Sequence, residues 1–277
     1  KSFYSCENMK IGIIGFGVVG KAIANTMKKA YEIVKFDKYN HFDHFDDLFS
    51  CKFIFISVPT PFDCNSNSVD DSAIIENLSL LNDKNYNEVV IIKSTIPPGK
   101  SLEYIENYNL KIVFNPEFLR ESTTPNEDFE NQDCVVIGAE EEAFFNPVKS
   151  MYQNVLKKET KYYSLCTIES EMVKYAQNTM LASRVAIANM IFDACISKGI
   201  SYDRVKEIAF DSFEILGPYM VKVPGPDGQR GFGGKCLPKD IRGFSTIHES
   251  KLLNEIIRYN DNLRDDLHKF LDNYIDK

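Results

Sequence analysis

The residues best equipped for chemistry lie together near the C-terminal end of the chain, in Arg230-Gly-Phe-Gly-Gly-Lys-Cys-Leu-Pro-Lys-Asp240. One cysteine, Cys236, follows a glycine pair and precedes Pro238. Gly231, Gly233 and Gly234 allow φ > 0 and close approach of the backbone to a ligand. Pro238 argues against a central strand and for a fixed turn. Lys235, Lys239 and Asp240 surround the thiol with charge, and neighbouring cations favour the nucleophilic thiolate. The alternative is a glycine-rich surface loop with an incidental buried cysteine.

A second constellation lies at the other end. Gly15-Phe16-Gly17-Val18-Val19-Gly20 follows a short apolar run and opens a helical stretch. The glycines of such a G-x-G-x-x-G turn admit a pyrophosphate and pack a helix closely on a strand, and the helix N-terminus favours negative charge. Asp37 closes the next apolar run at about 20 residues' distance, where a carboxylate can bond both ribose hydroxyls of an adenosine and repel a 2′-phosphate. This predicts NAD rather than NADP, with Lys38 next door as the opposing charge. A glycine turn that only packs a helix is the alternative.

Three further motifs follow apolar runs. Val58-Pro59-Thr60-Pro61 and Ser94-Thr95-Ile-Pro-Pro-Gly99 supply fixed loops whose hydroxyls (Thr60, Ser94, Thr95) can bond ligand or water. Asn115-Pro-Glu117-Phe118-Leu119-Arg120-Glu121 brings two carboxylates and an arginine to a strand's end, suited to acid–base work or anion binding. Glu171, Lys174 and Asn178 lie on one helical stretch, with Lys174 and Asn178 on one face at i,i+4, where a lysine and an amide can stabilise an oxyanion. Read alone, the heptapeptide is better explained as a solvated charged turn, and the helical trio as a solvated face.

The elements that must position these groups are legible as runs. Residues 10–15, 31–36, 53–58, 89–93, 112–114 and 134–137 are apolar and continuous rather than alternating, the mark of strands buried on both faces. Helical segments at 16–29, 73–81 and 99–107 separate them, which predicts a doubly wound parallel α/β sheet of Rossmann-like type. Residues 63–71 read as a polar loop, and 157–166 as a polar link between domains. From Thr167 one helix runs to Lys198-Gly199, roughly 45 Å at ~1.5 Å per residue. It is apolar on more than one face, and so expected to be shared with a second subunit. Residues 202–215 form another helix, 217–234 a glycine/proline loop, and the chain from 241 is largely helical. The expected domains are an extension at 1–8, a nucleotide-binding domain at 9–160 and an all-α domain at 161–277.

Composition bounds the rest. The 277 residues suit two domains, and 32 basic against 40 acidic residues give a net charge of −8. That excludes a general attraction for nucleic acid or anionic membrane. Seven cysteines without a C-x-x-C pair indicate neither a disulfide framework nor a zinc site, and the four histidines show no ligand spacing, so no metal is expected. A reducing compartment, the cytoplasm, follows. No apolar run reaches transmembrane length, and residues 1–8 lack the apolar core of a signal peptide, leaving Met9 as a candidate start.

Together, GFGVVG (15–20), VPTPF (58–62), STIPPG (94–99), NPEFLRE (115–121), EMVKYAQN (171–178) and PGPDGQRGFGGKCLPKD (224–240) resemble the UDP-glucose/GDP-mannose dehydrogenase family over residues 9–244. The resemblance implies NAD as cofactor and a nucleotide sugar such as UDP-glucose as substrate. It also implies a homodimer through the long helix and two successive oxidations of one sugar carbon. It implies Cys236 as nucleophile and Lys174 with Asn178 as oxyanion stabilisers. Asp240 with Thr95 would hold a water or proton path in the first oxidation. Glu117 would be the base for hydrolysis, and Glu121 and Thr95 would position water or nicotinamide. The division of base roles among Glu117, Glu121 and Asp240 stays open. Pro59, Thr60, Ser94 and Lys239 join the residues expected to face the cofactor. Residues 118–121 and Phe232, Gly233, Gly234 and Lys235 resemble substrate contacts through the backbone. Members of the family usually carry a third domain that helps hold the UDP moiety; the sequence stops short of it, as a piece of a longer chain or as a short form, and weaker substrate binding is the expectation. Two other readings compete. One is a two-electron hydroxy-acid dehydrogenase that needs no cysteine. The other is a non-catalytic binder of NAD or nucleotide sugar.

Overall fold

A computed structural model describes residues 9–120 and 124–264. The expected extension at 1–8 and the candidate Glu121 lie outside the described residues. Those described divide into two compact units, one made of residues up to 60 together with 70–174, the other of 61–69 together with 175 onward.

The first unit is built on a seven-stranded sheet. Its strands are β1 (Lys10–Ile14), β2 (Glu32–Phe36), β3 (Phe53–Ile56), β6 (Val89–Ile92), β7 (Lys111–Phe114), β8 (Cys134–Gly138) and β9 (Lys161–Leu165), in the order β2-β1-β3-β6-β7-β8-β9. Neighbours pair in parallel except β7 and β8, which meet through one antiparallel pair, Phe114 opposite Gly138. The sheet is therefore mostly rather than wholly parallel. At that seam the Val136 carbonyl accepts from the Asn115 side-chain amide at 2.6 Å, where a ladder bond would otherwise form.

The continuous apolar runs are explained by helices on both faces. Ile11, Ile13, Phe55 and Ile91 pack with α1 (Val18–Met27) and α5 (Glu142–Gln153) on one side. Ile14, Ile54, Ile56 and Val90 pack with α2 (Ser72–Asp83) and α3 (Lys100–Asn107) on the other. Each such fully buried side chain contributes roughly 1.5–3 kcal/mol. A short helix, α4 (Pro125–Glu130), lies against α1. The strand order reverses direction at β1 and β3, the switch point outside which ligands bind in open α/β sheets.

The second unit consists of a small hairpin, β4 (Phe62–Asp63) with β5 (Ser68–Val69), and helices α6 (Thr167–Ser197, from Tyr175 onward), α7 (Tyr202–Lys206), α8 (Leu237–Ile247) and α9 (Lys251–Leu263). Ala182 and Ala186 of α6 form one core with Phe232, Ile241 and Leu253, while Ala188 and Cys195 form another with Tyr202, Val221 and Val223.

Several expectations need correction. The stretch read as a polar link contains β9, which pairs along its full length with β8, so it belongs to the sheet. Its polarity reflects an edge strand with one neighbour. The loop at 63–71 folds into the β4–β5 hairpin, closed where Asp63 accepts from Asn65 N at 2.9 Å. The expected helix at 202–215 is α7 followed by a π-type turn at Glu207–Asp211. Helix α6 is also long and apolar enough to cross a bilayer by length and composition, with a mean hydropathy of 1.4 over 18 residues. A third of that window is buried, and Glu171, Lys174 and Asn178 are buried and take protein partners.

Candidate active site

In the first unit the glycine turn ends β1. Gly15 has φ +87°, and a Cβ there would sit 2.7 Å from the Ser57 carbonyl oxygen at the end of β3. Only glycine lets the chain pass so close. A Cβ added at Gly17 would meet nothing within 4 Å among the described residues, and α1 begins there with no side-chain cap and no acidic residue in its first turn. The N–H groups of that turn are open to an anion. The cradle therefore fits a dinucleotide pyrophosphate, with Gly15, Phe16, Gly17, Val18, Val19 and Gly20 around it.

Asp37 follows β2. Its Oδ2 accepts from Phe16 N at 2.8 Å, and its Oδ1 from Tyr39 N at 3.0 Å and Asn40 Nδ2 at 2.8 Å. Burial opposes its charge, but the bonds from Phe16, Asn40 and Tyr39 outweigh burial and hold the carboxyl below its ordinary range. The competing charge, Lys38, is engaged by Glu76 at 2.9 Å.

The loops after β3 and β6 are tied together. Thr60 Oγ1 donates to the Thr95 carbonyl at 2.8 Å, and Ser94 Oγ to the Val58 carbonyl at 2.7 Å. These two hydroxyl protons hold loop to loop, while Pro59 is exposed and Thr95 half-buried. After β7, Glu117 Oε1 accepts from Phe118 N at 2.9 Å and Leu119 N at 3.2 Å. The solvated charged turn is thus excluded for Glu117, whose side chain is 11% exposed. Arg120 is exposed, and its guanidinium grips Asp128 at 2.9 and 2.6 Å. That grip brings the Asp128 carboxyl down to about 2. The charge of Arg120 is committed there, and its backbone N–H donates to the same carboxylate at 2.8 Å.

The solvated-face reading of α6 is also overturned. Lys174 is 9% exposed, Asn178 5% and Glu171 0%. The Lys174 ammonium donates to the Glu117 carbonyl and sits 5.3 Å from the Phe118 ring centroid. Glu171 caps α3, accepting from Gly99 N at 2.6 Å and Ser101 N at 2.8 Å. Burial pushes its carboxyl up against those bonds. Glu171 thus fixes the end of the Ser94–Gly99 loop where it enters α3.

In the second unit, α8 begins at Leu237 rather than 241, with exposed Cys236 as its N-cap and Pro238 in its first turn. A proline there pre-sets the helix instead of breaking it. The thiol therefore stands at the N-terminal end of α8, which carries the positive end of the helix dipole. One turn on, Asp240 is fully buried. Its Oδ1 lies 2.8 Å from the Lys239 ammonium, and its Oδ2 accepts from Asn178 Nδ2. Lys239 thus faces Asp240, whereas Lys235 and Gly234 are exposed.

The loop before Cys236 is held by residues the sequence reading missed. Asn189 of α6 accepts from Gly231 N at 3.1 Å. Asn260 of α9 accepts from Phe232 N at 2.6 Å and donates to the Phe232 carbonyl at 3.1 Å. A Cβ on Gly233 would lie 2.5 Å from the Arg264 guanidinium carbon. Asparagines in otherwise apolar helix faces were the available signal. Phe232 itself is 2% exposed and packs in the core, and its N–H and carbonyl are both taken by Asn260.

The description "UDP-glucose/GDP-mannose dehydrogenase family, NAD binding domain" matches residues 27–156, and the same family's central domain matches residues 168–262. The chain belongs to this family. Among its relatives, UDP-glucose 6-dehydrogenase of Rickettsia felis is 28% identical over 246 residues, covering 84% of this chain and 52% of that protein. The rat enzyme of the same name is 30% identical over 231 residues, covering 77% of this chain and 45% of that protein. The chain spans about half the length of the curated relatives it matches. A UDP-glucose dehydrogenase structure from Pyrobaculum islandicum superposes with a TM-score of 0.79 at 23% identity, over 95% of this chain and 70% of that one, which shows the shared fold. Within the family match, Cys236, Asp240, Lys174 and Asn178 all fall in the central-domain stretch. The glycine turn precedes the matched NAD-binding stretch and stands on its own geometry.

Proposed function

We propose that this family member is an NAD-dependent nucleotide-sugar 6-dehydrogenase that oxidises UDP-glucose to UDP-glucuronate through Cys236. The observation that carries the reading is the placement of Cys236 as the N-cap of α8, one turn before an Asp240 held by Asn178 and Lys239. NAD, when bound, supplies the two-electron acceptor for each of the two oxidations. Gly15 to Gly20 and Asp37 would hold it, by the glycine cradle and the ribose hydroxyls respectively.

The chain's own residues do the rest. The C6 alcohol loses two electrons and two protons to become an aldehyde, and Asp240 with Thr95 serves the proton path. The Cys236 sulfur adds to the aldehyde carbon, giving a thiohemiacetal whose alkoxide Lys174 and Asn178 stabilise. A second two-electron loss leaves a thioester. Water then adds to the carbonyl carbon with Glu117 taking its proton, the carbon–sulfur bond breaks, and the thiolate returns. One thiol thereby retains the aldehyde through a four-electron oxidation. A reactive thiol fits a reducing compartment such as the cytoplasm.

We propose also that the protein is a homodimer through α6. Met180, Ile187 and Met190 are 70%, 51% and 56% exposed on that helix. The first two stand seven residues apart, as on a helix seam.

Counting NADH per sugar consumed tests the function directly, over UDP-glucose, UDP-N-acetylmannosamine and GDP-mannose. Two NADH with UDP-glucose is expected. One would indicate a two-electron dehydrogenase, none a binder, and two with another sugar would reassign the substrate.

A further inference from the structure

Lys93 stands between β6 and Ser94, and its side chain is 1% exposed. A buried ammonium is tolerated only when its protons find oxygens. Here three oxygens surround it. Asn115 Oδ1 accepts at 3.0 Å, the Pro116 carbonyl at 3.3 Å, and Glu117 Oε2 lies 2.8 Å away as an ion pair. All three belong to consecutive residues of one motif. The Phe129 ring lies 5.4 Å from the ammonium. Asn115 is itself fixed, because Tyr152 OH donates to its Oδ1 at 2.5 Å and its Nδ2 donates to the Val136 carbonyl. Two backbone N–H groups already hold the other oxygen of Glu117. The carboxylate is thus oriented from both ends.

We propose that Lys93 is a positioning residue for thioester hydrolysis: anchored through Asn115 and Tyr152, it holds the Glu117 carboxylate in the orientation from which it takes a proton from the attacking water. This rests on the reading of Glu117 as hydrolytic base. In the step, a water proton passes to Glu117, the water oxygen bonds the thioester carbon, the carbon–sulfur bond breaks, and the proton is returned to the departing thiolate. No electron changes hands. Burial works against the charge of Lys93, and Glu117 opposes that.

The test uses K93M, E117Q and the double variant, each given NAD and UDP-glucose, with rapid NADH counting and intact-protein mass spectrometry. K93M is expected to keep a fast burst approaching two NADH per subunit, then to turn over about 100-fold more slowly than the parent, the scale of a misplaced catalytic group. A sugar adduct should accumulate on Cys236. E117Q should show the same pattern, and the double variant should turn over no more slowly than E117Q. A purely packing role for Lys93 would reduce burst and steady state together. If E117Q accumulates adduct and K93M does not, the positioning role is overturned while the Glu117 reading stands. If E117Q itself turns over fully without adduct, the Glu117 reading falls and the proposal with it. Should K93M melt too low to assay, its orphaned carboxylate is the expected cause, and K93M/E117Q should melt higher. Equal melting of K93M and the double variant would overturn the pairing.

Discussion

Asn260 offers the sharpest test of how the nucleophile's loop is held. It is fully buried on α9 and bonds both the N–H and the carbonyl of Phe232, four residues before Cys236. Truncation to alanine leaves both main-chain groups without these partners. Each buried orphan costs roughly 1–3 kcal/mol, so N260A should lose about 2–6 kcal/mol. N260L separates the causes, since leucine fills the space but makes neither bond, and it should be no more stable than alanine. N260D keeps the acceptor for Phe232 N but sets a carboxylate against the Phe232 carbonyl, and should also destabilise. The chain has no tryptophan, so unfolding in urea is best followed by far-ultraviolet circular dichroism. The loss should appear in the transition of the helical unit. If N260A and N260L both unfold within about 0.5 kcal/mol of the parent, the size of an ordinary surface substitution, then Asn260 does not support the loop.

Other outcomes follow from the same geometry. C236S should yield at most one NADH per UDP-glucose, because a hydroxyl is a far poorer nucleophile than a thiol; two NADH per sugar would overturn the covalent route. D37S removes the acceptor of the Phe16 N–H and the expected ribose partner. Loss of a charged hydrogen bond worth ~1.5–3 kcal/mol predicts a 10- to 100-fold fall in kcat/KM for NAD. An unchanged preference for NAD over NADP would count against the role of Asp37. M180E/I187E places two carboxylates on the exposed seam of α6 and should give monomers by light scattering at micromolar concentration. A parent protein already monomeric there would refute the dimer.

Much of this was legible in the sequence because it rests on local rules. Six apolar runs became β1, β2, β3, β6, β7 and β8, since strands covered on both faces have no polar side to alternate with. The glycine turn was readable because Gly15 has a steric reason to be glycine. What escaped depended on partners distant in sequence. β9 reads Lys161-Tyr-Tyr-Ser-Leu165, too polar to stand out, and becomes a strand only through its register with β8. Pro238 reads in the sequence as a fixed turn ahead of a helical stretch from 241. At the second helical position it is a starter, and recognising this puts Cys236 at the cap. Lys93 closed an apolar run without a hint that its ammonium meets residues 115–117, twenty-two or more positions away.

Helix α6 shows why composition misled about function. On an ordinary amphipathic helix, lysine, asparagine and glutamate would face water and methionine and isoleucine the core. Here Glu171, Lys174 and Asn178 are buried, while Met180 and Ile187 are exposed. The inversion works against the stability of this chain alone, for burying Lys174 requires the Glu117 carbonyl and burying Asn178 requires Asp240. Each buried polar group is matched to one specific acceptor, and those acceptors belong to the two motifs assigned to chemistry. Met180, Ile187, Met190 and Ile196, each more than half exposed, lie beyond the EMVKYAQN stretch. One helix therefore carries two unlike features in succession: buried polar groups fixed by the site in its first turns, and strongly exposed apolar residues further along. Substitutions in the first half should alter turnover at constant assembly, and those in the second should alter assembly first.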